Sequence, residues 1–221
     1  MQFLYDIEAG KESLIIKGDS YRYLFKVRRI KKGSIIELRN LKDSNLYFYK
    51  ITHIDKKSAI LNLISYEKKE VIAKKSLIIG WCIVDPKVIE KSLSTLNEMG
   101  VEKIVFIKCA YSQANFKINK DRLIKILINS SQQCGRSNLM KLEFANSILD
   151  FLNSYPKSYL LDFSTNSIGT STISSIVIGC EGGLSKDERA LFKNQNIVGF
   201  DTPLILRSES AVIGVASKIL L

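Results

Sequence analysis

The glycine-rich stretch in residues 176–190, IVIGCEGGLSKDERA, holds the residues whose types and spacing most suggest chemistry. An apolar run leads into it and a predicted helix follows it. A strand that passes through a glycine-rich turn into a helix is a common ligand-binding arrangement in α/β proteins. The carboxylate of Glu181, at the centre of the turn, repels phosphate, and no lysine directly follows the glycines to offset it. A pyrophosphate is therefore a poor ligand for this turn.

The common nucleotide loops, G-x-x-x-x-G-K-[ST] and G-x-G-x-x-G, do not occur in the chain. A nucleotide whose reactive part is cationic avoids the repulsion by Glu181. S-adenosylmethionine carries a sulfonium and an ammonium, and backbone N–H and C=O groups satisfy its adenine. Gly179, Gly182 and Gly183 let such backbone groups approach a ligand closely. The residues alone leave open the alternative that the turn is purely structural.

Two further segments have the same character, SYLLDF at 158–163 and FDTPLILRSESA at 200–211. In the second, a predicted strand passes through Pro203 into a helix that begins near Arg207. The carboxyl ends of parallel strands lie at one edge of a sheet, and ligands bind at that edge. We therefore expect both segments to meet the glycine-rich turn there.

Residues 76–221 alternate between predicted strands and helices. The strands are predicted at 76–82, 103–107, 158–163, 174–178 and 196–200. The helices are predicted at 86–99, 119–134, 186–194 and 207–220. Gly100 is the expected C-cap of the first helix, and Ser185 with Glu188 forms a capping box for the third. This alternation favours a mostly parallel sheet with helices on both faces.

Residues 1–65 consist mostly of short β-rich runs separated by turn signals, a pattern that predicts a small barrel. A helical insert at 19–28, with Asp19 as its N-cap, interrupts these runs. The polar segment 65–76, SYEKKEVIAKKS, is predicted to link the barrel to the remainder of the chain.

The net charge of +11 is concentrated in the first third of the chain. Residues 1–75 contain 17 Lys or Arg against 9 Asp or Glu, whereas residues 76–221 contain 16 against 13. One short basic segment stands out, formed by Lys26, Arg28, Arg29, Lys31 and Lys32. Because such cations neutralise nucleic-acid phosphates, the segment predicts an RNA-binding edge. A generally basic, solvated surface is the alternative.

His53 is the only histidine, and the four cysteines form no C-x-x-C pair. The composition therefore argues against a Ser-His-Asp triad, a multi-histidine metal site and a zinc site of paired cysteines, and we expect no metal cofactor. The chain has no stretch of 18 apolar residues and no signal-peptide pattern. We expect a cytoplasmic protein without a membrane span.

Several segments resemble, in order, the motifs of the ribosomal RNA small subunit methyltransferase E (RsmE) family of bacterial SPOUT-class enzymes. IGCEGGLSKDE and LILRSESA resemble that family's paired signatures iGPEGG…E and rILRtETA. SSQQCGRS (130–137) resembles EQsgR, NEMGVEKIVF (97–106) resembles tELGv..i.p, and YRYLFKVRRIKKGSII resembles hHL.kVLRlk.Gd.i. The resemblance covers nearly the whole chain, and the two C-terminal motifs together are its most specific part.

The resemblance implies an α/β fold with two domains. Residues 71–221 would form a SPOUT-type domain with a trefoil-knotted, mostly parallel sheet, preceded at residues 1–70 by a small PUA-like β-barrel for RNA. It also implies a homodimer that uses S-adenosylmethionine to methylate N3 of a uridine near the 3′ end of 16S rRNA. The substrate would be the rRNA or the small ribosomal subunit. Two alternatives stay open, a non-catalytic RNA-binding ribosome-assembly factor and a SPOUT ribose 2′-O-methyltransferase.

Site residues follow from the resemblance by position. The implied cofactor pocket comprises Leu160, Leu161, Asp162, Gly179, Glu181, Gly182, Gly183, Leu204, Ile205 and Leu206. Arg207 and Glu209 are implied beside the methyl group, and Arg136 is implied to face the RNA. One of the two arginines would stabilise the anionic uracil, with Glu209 orienting it.

Six positions depart from the family pattern. Cys180 replaces a proline, Thr202 a glycine and Ser210 a threonine, while Tyr23, Tyr111 and Thr95 stand where histidine, arginine and lysine are usual. The backbone roles of the two C-terminal loops survive these replacements. Any mechanistic role that the family gives to the missing histidine, arginine or lysine is not carried over to this chain.

Overall fold

The computed structural model describes residues 1–113, 115–170 and 172–221, and its chain divides into two compact units. The first unit comprises Met1–Ile72 together with Ile128–Leu139. The second comprises Ala73–Leu127 and Met140–Leu221. The segment Ile128–Leu139 thus belongs to the first unit, although in sequence it lies well beyond the predicted linker.

The first unit contains a five-stranded sheet. Its strands are β1 (Leu4–Tyr5), β2 (Ser13–Lys17), β3 (Ile35–Arg39), β4 (Asn45–Ile54) and β5 (Ser58–Lys68). They lie in the order β1-β3-β4-β5-β2, and every pair except the parallel β1–β3 is antiparallel. Two register shifts between β4 and β5 locally increase the twist that curls the sheet.

The helical insert of the first unit begins earlier than the sequence indicates. Helix α1 (Gly18–Tyr21) follows β2 directly and continues as a π-helical segment, Arg22–Val27. Its N-cap is Lys17, without a side-chain hydrogen bond, so the prediction of Asp19 as N-cap was wrong. Gly18 has a φ of +61° and permits the abrupt change from strand to helix that replaces a capped start.

The second unit contains a six-stranded sheet in which all pairs are parallel, as predicted. Its strands are β6 (Ile78–Cys82), β7 (Lys103–Ile107), β8 (Lys141–Ala145), β9 (Tyr159–Leu161), β10 (Ser175–Ile178) and β11 (Ile197–Val198). They lie in the order β11-β9-β10-β6-β7-β8. The central strands β6 and β10 are almost wholly buried, as expected for a parallel sheet covered on both faces.

In the part of the chain that the structure describes, five helices accompany this sheet. They are α2 (Pro86–Met99), α3 (Lys120–Cys134, whose last turns belong to the first unit), α4 (Ile148–Ser154), α5 (Lys186–Ala190) and α6 (Ser208–Leu220). Short 3₁₀ turns occur at Ile168–Thr170 and Asn194–Asn196. Gly100 ends α2 with a φ of +95°, and Ser185 with Glu188 forms the predicted capping box of α5. Helix α5 ends at Ala190, four residues earlier than predicted.

Strand β8 and helix α4 were missed by the sequence prediction. β8 lies at the end of the strand order and has no buried residue, so it lacks the apolar pattern that marks a strand. Its Glu143 instead forms an ion pair of 2.6 Å with Lys103 of β7. Hydrogen bonds from Lys103 to Glu143 and Tyr155 raise the pKa of this lysine. None of the helices in the described part of the chain is both long and apolar enough to cross a membrane.

Candidate functional site

The three predicted ligand segments follow three neighbouring strands of the second unit. β11, β9 and β10 are adjacent in the sheet and parallel, so the segments that follow them leave from one edge. Leu160 lies inside β9 with its side chain fully buried, while Leu161 and Asp162 at the strand end are half-buried. The predicted meeting of these segments at the carboxyl edge is therefore confirmed.

The turn after β10, residues 179–183, is held by one hydrogen bond inside it and by another at its start. Inside the turn the Gly183 N–H donates to the Cys180 carbonyl at 2.9 Å, and Gly183 adopts a φ of +71°. At its start, the hydroxyl of Ser208 donates to the Gly179 carbonyl at 2.6 Å. The buried indole N–H of Trp81 in turn donates to the Ser208 hydroxyl at 2.9 Å. This chain ties the turn to both β6 and the first residue of α6.

Packing against its neighbours also requires glycine in this turn. A Cβ atom at Gly182 would lie 3.0 Å from Cβ of Tyr111, and one at Gly179 would lie 3.3 Å from Cα of Gly183. Glu181, between these glycines, is exposed. The turn therefore presents backbone groups and one carboxylate to the solvent at the sheet edge.

The segment after β9 is fixed to β11 and α5. The Asp162 N–H donates to the Val198 carbonyl at 2.9 Å, and the Asp162 carboxylate forms an ion pair with Arg189 of α5. A Cβ atom at Gly199 would lie 2.6 Å from the Ser164 carbonyl oxygen, so the two segments pack backbone to backbone. Asp162 is thus held through both its backbone N–H and its side-chain carboxylate.

By comparison, the side chains of the segment after β11 are exposed to solvent. Leu204, Ile205 and Leu206 are 71%, 79% and 41% exposed, and Phe163 from the neighbouring segment is 75% exposed. Thr202 accepts the Leu204 N–H at 3.2 Å and so supports the turn that a glycine usually forms in the family pattern. These apolar side chains form a surface that other parts of the described chain leave uncovered.

Arg207 and Glu209 lie at the start of α6, directly after this open segment. Arg207 is the exposed N-cap residue, and its carbonyl accepts the Ala211 N–H at 2.8 Å. Glu209 is half-buried in the first turn, where a carboxylate complements the helix dipole. The structure therefore brings both residues to the same sheet edge as the glycine-rich turn.

Arg136 belongs to the first unit and has a different environment. Its side chain is only 7% exposed, and its Nε–H donates to Asn138 Oδ1 at 2.8 Å. A buried guanidinium with such a partner is held in place rather than presented to the solvent.

The basic segment of the first unit is exposed. All five members, Lys26, Arg28, Arg29, Lys31 and Lys32, are solvent-exposed and follow or end the π-helical segment. Tyr21 is buried, and its hydroxyl donates to the Asp55 carbonyl at 2.5 Å, so it belongs to the barrel core. Tyr23 is 37% exposed and lines a cleft together with Gln133. Of these two tyrosines, only Tyr23 is accessible for stacking against an RNA base.

Sequence reasoning missed the residues that support the site. Ser208 carries a weak signal in the sequence, as a hydroxyl at the first position of a mostly apolar helix. Trp81 and Arg189 have no local signal, because their partners lie far away along the chain. Among the described residues, no group of three or more histidine, cysteine or carboxylate side chains could hold a metal ion.

Two family models match the chain. One is described as an RNA methyltransferase domain and matches residues 72–220, and the other is described as an RNA methyltransferase PUA domain and matches residues 16–64. The second match confirms the predicted PUA-like module.

The chain is also similar to individual proteins. It is 40% identical over 222 residues to the ribosomal RNA small subunit methyltransferase E of Helicobacter pylori strain J99, covering 98% of each chain. A probable rRNA-methyltransferase from Porphyromonas gingivalis has a TM-score of 0.82 at 19% identity, over 99% of this chain and 95% of that one. A ribosomal RNA small subunit methyltransferase E from Neisseria gonorrhoeae, bound to S-adenosyl methionine, has a TM-score of 0.78 at 16% identity, over 98% and 95%. The two structures show that the fold is shared.

Proposed function

The chain belongs to the ribosomal RNA small subunit methyltransferase E family and is an S-adenosylmethionine-dependent rRNA methyltransferase, and from this premise we propose that it methylates N3 of a uridine near the 3′ end of 16S rRNA. It acts in the cytoplasm, on the rRNA or the small ribosomal subunit. Residues 71–221 carry the chemistry and residues 1–70 bind the RNA. The observation that carries the proposal is the convergence of the glycine-rich turn, the open apolar segment and Arg207 at one sheet edge.

The residues at this edge fit S-adenosylmethionine. Exposed Glu181 suits the cationic ammonium and sulfonium groups, and the backbone of the turn is accessible because Gly182 and Gly183 carry no side chain. The uncovered Leu204–Leu206 surface suits the apolar faces of an adenine ring. Leu161 and Asp162 form the third wall at the end of β9, and buried Leu160 contributes to it by positioning the strand.

The bound cofactor supplies an electrophilic methyl group on a sulfonium. The uracil N3 proton must leave before the nitrogen can accept this group, and negative charge then develops on the uracil carbonyl oxygens. Exposed Arg207 donates hydrogen bonds to those oxygens and stabilises the charge. Glu209, two residues further along the chain in the first turn of α6, orients the guanidinium. Arg136 is buried and hydrogen-bonded to Asn138, so we give it a positioning role on the RNA side rather than this one.

The RNA is bound by the five exposed cations of the first unit, at residues 26–32. Phosphate contacts release counterions, so the affinity falls steeply with salt, by about one decade in affinity per decade in salt for each phosphate contact. An affinity for rRNA that is unchanged between low and moderate salt would contradict this assignment.

The homodimer and the trefoil knot complete the proposal. Phe163, Leu204 and Ile205 are each more than 70% exposed, and a second copy of the chain would cover those parts of their apolar side chains that the cofactor does not. The backbone packing of Gly199 against Ser164 is consistent with the close passage of segments that a knot requires. Light scattering at increasing protein concentration measures the dimer directly.

Nucleoside mass spectrometry tests the reaction. The protein is incubated with S-adenosylmethionine and with small subunits or 16S rRNA that lack the modification, and the digested RNA is analysed. We expect 3-methyluridine. A 2′-O-methylated nucleoside would instead indicate a ribose methyltransferase, and the absence of any methylated product together with no binding of S-adenosylhomocysteine would indicate an assembly factor.

Replacement of Arg207 tests its role. Arg207→Ala should lower the rate on the order of 100-fold, because one charge-stabilising donor is lost, and should leave the affinity for S-adenosylhomocysteine unchanged. Arg122→Ala is the matched control, since it removes an arginine of the same unit that forms a surface ion pair of 2.7 Å with Glu90. Loss of cofactor affinity with a normal rate would contradict the assignment of Arg207.

A further inference from the structure

Three cysteines of the second unit converge beside the glycine-rich turn. Cys82 is the last residue of β6, Cys109 follows β7 by two residues and Cys180 follows β10 by two residues. β10, β6 and β7 are adjacent in the sheet, so their carboxyl ends bring the three thiols together. The Sγ atoms of Cys109 and Cys180 lie 3.5 Å apart, although 71 residues separate them.

The three thiols differ in exposure. Cys109 is half-buried, whereas Cys82 and Cys180 are 0% and 6% exposed. A small solute in the solvent therefore reaches Cys109 first. The thiol of Cys180 stands directly behind it, within van der Waals distance of its sulfur.

The surroundings also make Cys109 the more nucleophilic of the pair. Hydrogen bonds from the thiols of Cys180 and Cys82 stabilise its thiolate and hold the pKa of Cys109 well below its usual value. The same contact with Cys109, together with burial, raises the pKa of Cys180. A half-buried thiolate beside a second thiol is the arrangement that reacts with peroxide and is then resolved as a disulfide.

The backbone around Cys180 allows the two sulfurs to approach. A disulfide bond requires them to move closer by about 1.5 Å. Cys180 is flanked by Gly179 on one side and by Gly182 and Gly183 two and three residues beyond it, and these positions have no side chains to repack. Cys82 lies within the ladder between β6 and β7 and lacks this freedom.

From this geometry we propose that Cys109 and Cys180 form an oxidation site, in which a hydroperoxide converts the two thiols to a disulfide across the edge of the cofactor site. Cys109 is the residue that reacts with the peroxide, and Cys180 is the residue that resolves it. The site has no counterpart in the family pattern quoted above, where a proline occupies position 180.

The chemistry takes place in two steps. The Cys109 thiolate attacks one peroxide oxygen, the O–O bond breaks, and Cys109 becomes a sulfenic acid while the second oxygen leaves as water after protonation. The Cys180 sulfur then attacks the Cys109 sulfur, the S–S bond forms, and the S–O bond breaks with loss of a second water. Two thiols and one hydrogen peroxide thus give one disulfide and two waters, and the sulfur pair loses the two electrons that the peroxide gains.

The disulfide would change the cofactor site, and this consequence rests on the proposed function. It would fix the 179–183 turn, which carries Glu181, to the segment that follows β7. Closing the bond draws Cys180 about 1.5 Å toward Cys109 and so displaces the turn from the position that the hydrogen bond from Ser208 to Gly179 holds in the reduced protein. We expect the oxidised protein to bind S-adenosylhomocysteine at least tenfold more weakly than the reduced protein.

Peptide mapping tests the oxidation site independently of the enzyme's function. The full-length protein is treated with a small excess of hydrogen peroxide, free thiols are blocked with N-ethylmaleimide, and a non-reduced digest is analysed by mass spectrometry. We expect a linked peptide pair that contains Cys109 and Cys180 and disappears on reduction. Modification of exposed Cys134 alone, with the thiols of both Cys109 and Cys180 blocked by maleimide, would overturn the proposal.

Variants assign the roles of the two cysteines. Cys180→Ser should leave a sulfenic acid on Cys109 that dimedone traps, with no linked peptide, whereas Cys134→Ser should still form the linked pair. A linked pair that forms between Cys109 and Cys134 would overturn the assignment of Cys180.

Calorimetry with S-adenosylhomocysteine tests the consequence. The oxidised wild-type protein should bind weakly and regain affinity after reduction, while Cys109→Ser should bind equally well before and after peroxide. Equal affinity of the mapped disulfide form and the reduced form would overturn the consequence. Absence of binding by the reduced protein would instead contradict the proposed cofactor site, and the peptide map would still decide the oxidation site.

Discussion

The two C-terminal segments of the candidate site are built differently. The 179–183 turn is tied to β6 and α6 through Trp81 and Ser208, and Gly182 packs tightly against Tyr111. Among the described residues, none gives the segment at 204–206 comparable support, and its three apolar side chains are exposed to solvent. One wall of the proposed pocket is therefore formed by the fold itself, whereas the other depends on a ligand or a second chain to cover it.

Because of this difference, substitutions in the two segments should affect the stability of the protein and its affinity for the cofactor in different ways. Substitutions in the 179–183 turn, or in the residues that hold it, should lower both the free energy of unfolding and the cofactor affinity, because the same contacts contribute to both. Substitutions in the open segment should lower affinity alone, because the free chain gains little from side chains that remain in water.

The largest effect is expected from removal of the Ser208 hydroxyl, which links Trp81 to Gly179 of the turn. Ser208→Ala leaves the buried indole N–H of Trp81 and the Gly179 carbonyl without their partner, and each such group costs about 1–3 kcal/mol. We expect chemical denaturation to show a loss of about 3 kcal/mol. Ser210→Ala, an exposed position in the same helical turn, is the control and should change stability little. A Ser208→Ala protein of normal stability would remove the distinction between the two segments.

An intermediate effect is expected from crowding of the turn. Gly182→Ala places a methyl group 3.0 Å from Cβ of Tyr111, so the turn must shift outward, at a cost of about 1 kcal/mol in stability. The affinity for S-adenosylhomocysteine, measured by calorimetry, should fall about tenfold, which corresponds to about 1.4 kcal/mol. Gly33→Ala is the control, since its φ of +88° costs stability by strain in the first unit. If both variants lost affinity equally, the effect would not arise from the turn.

The smallest effect on stability is expected in the open segment. Ile205 is 79% exposed, so Ile205→Asn should change the free energy of unfolding by no more than about 0.5 kcal/mol. Its affinity for S-adenosylhomocysteine, or its dimerisation measured by light scattering, should nevertheless fall. Ile15→Asn, at a 59% exposed position of β2, should leave both unchanged. A clear loss of stability in Ile205→Asn would mean that the segment is supported after all.

Local patterns in the sequence identified the elements of the fold that depend on neighbouring residues. The capping box of Ser185 and Glu188 and the stop of α2 at Gly100 were correct because each involves residues within one helical turn. The parallel sheet was correct because the alternation of strand and helix leaves few other arrangements. Where these signals were weak, as in exposed β8 and in the uncapped start of α1, the prediction failed.

The sequence by itself determined the family, the parallel sheet and the three segments at its carboxyl edge, because motifs and periodicity are local properties of the chain. Only the tertiary structure decided what supports those segments and which side chains meet. Trp81 and Ser208 are 127 residues apart, and Cys109 and Cys180 are 71 apart. The strand order β10-β6-β7, which no local pattern encodes, brings the two cysteines together, and the packing of α6 against the sheet brings Ser208 to Trp81.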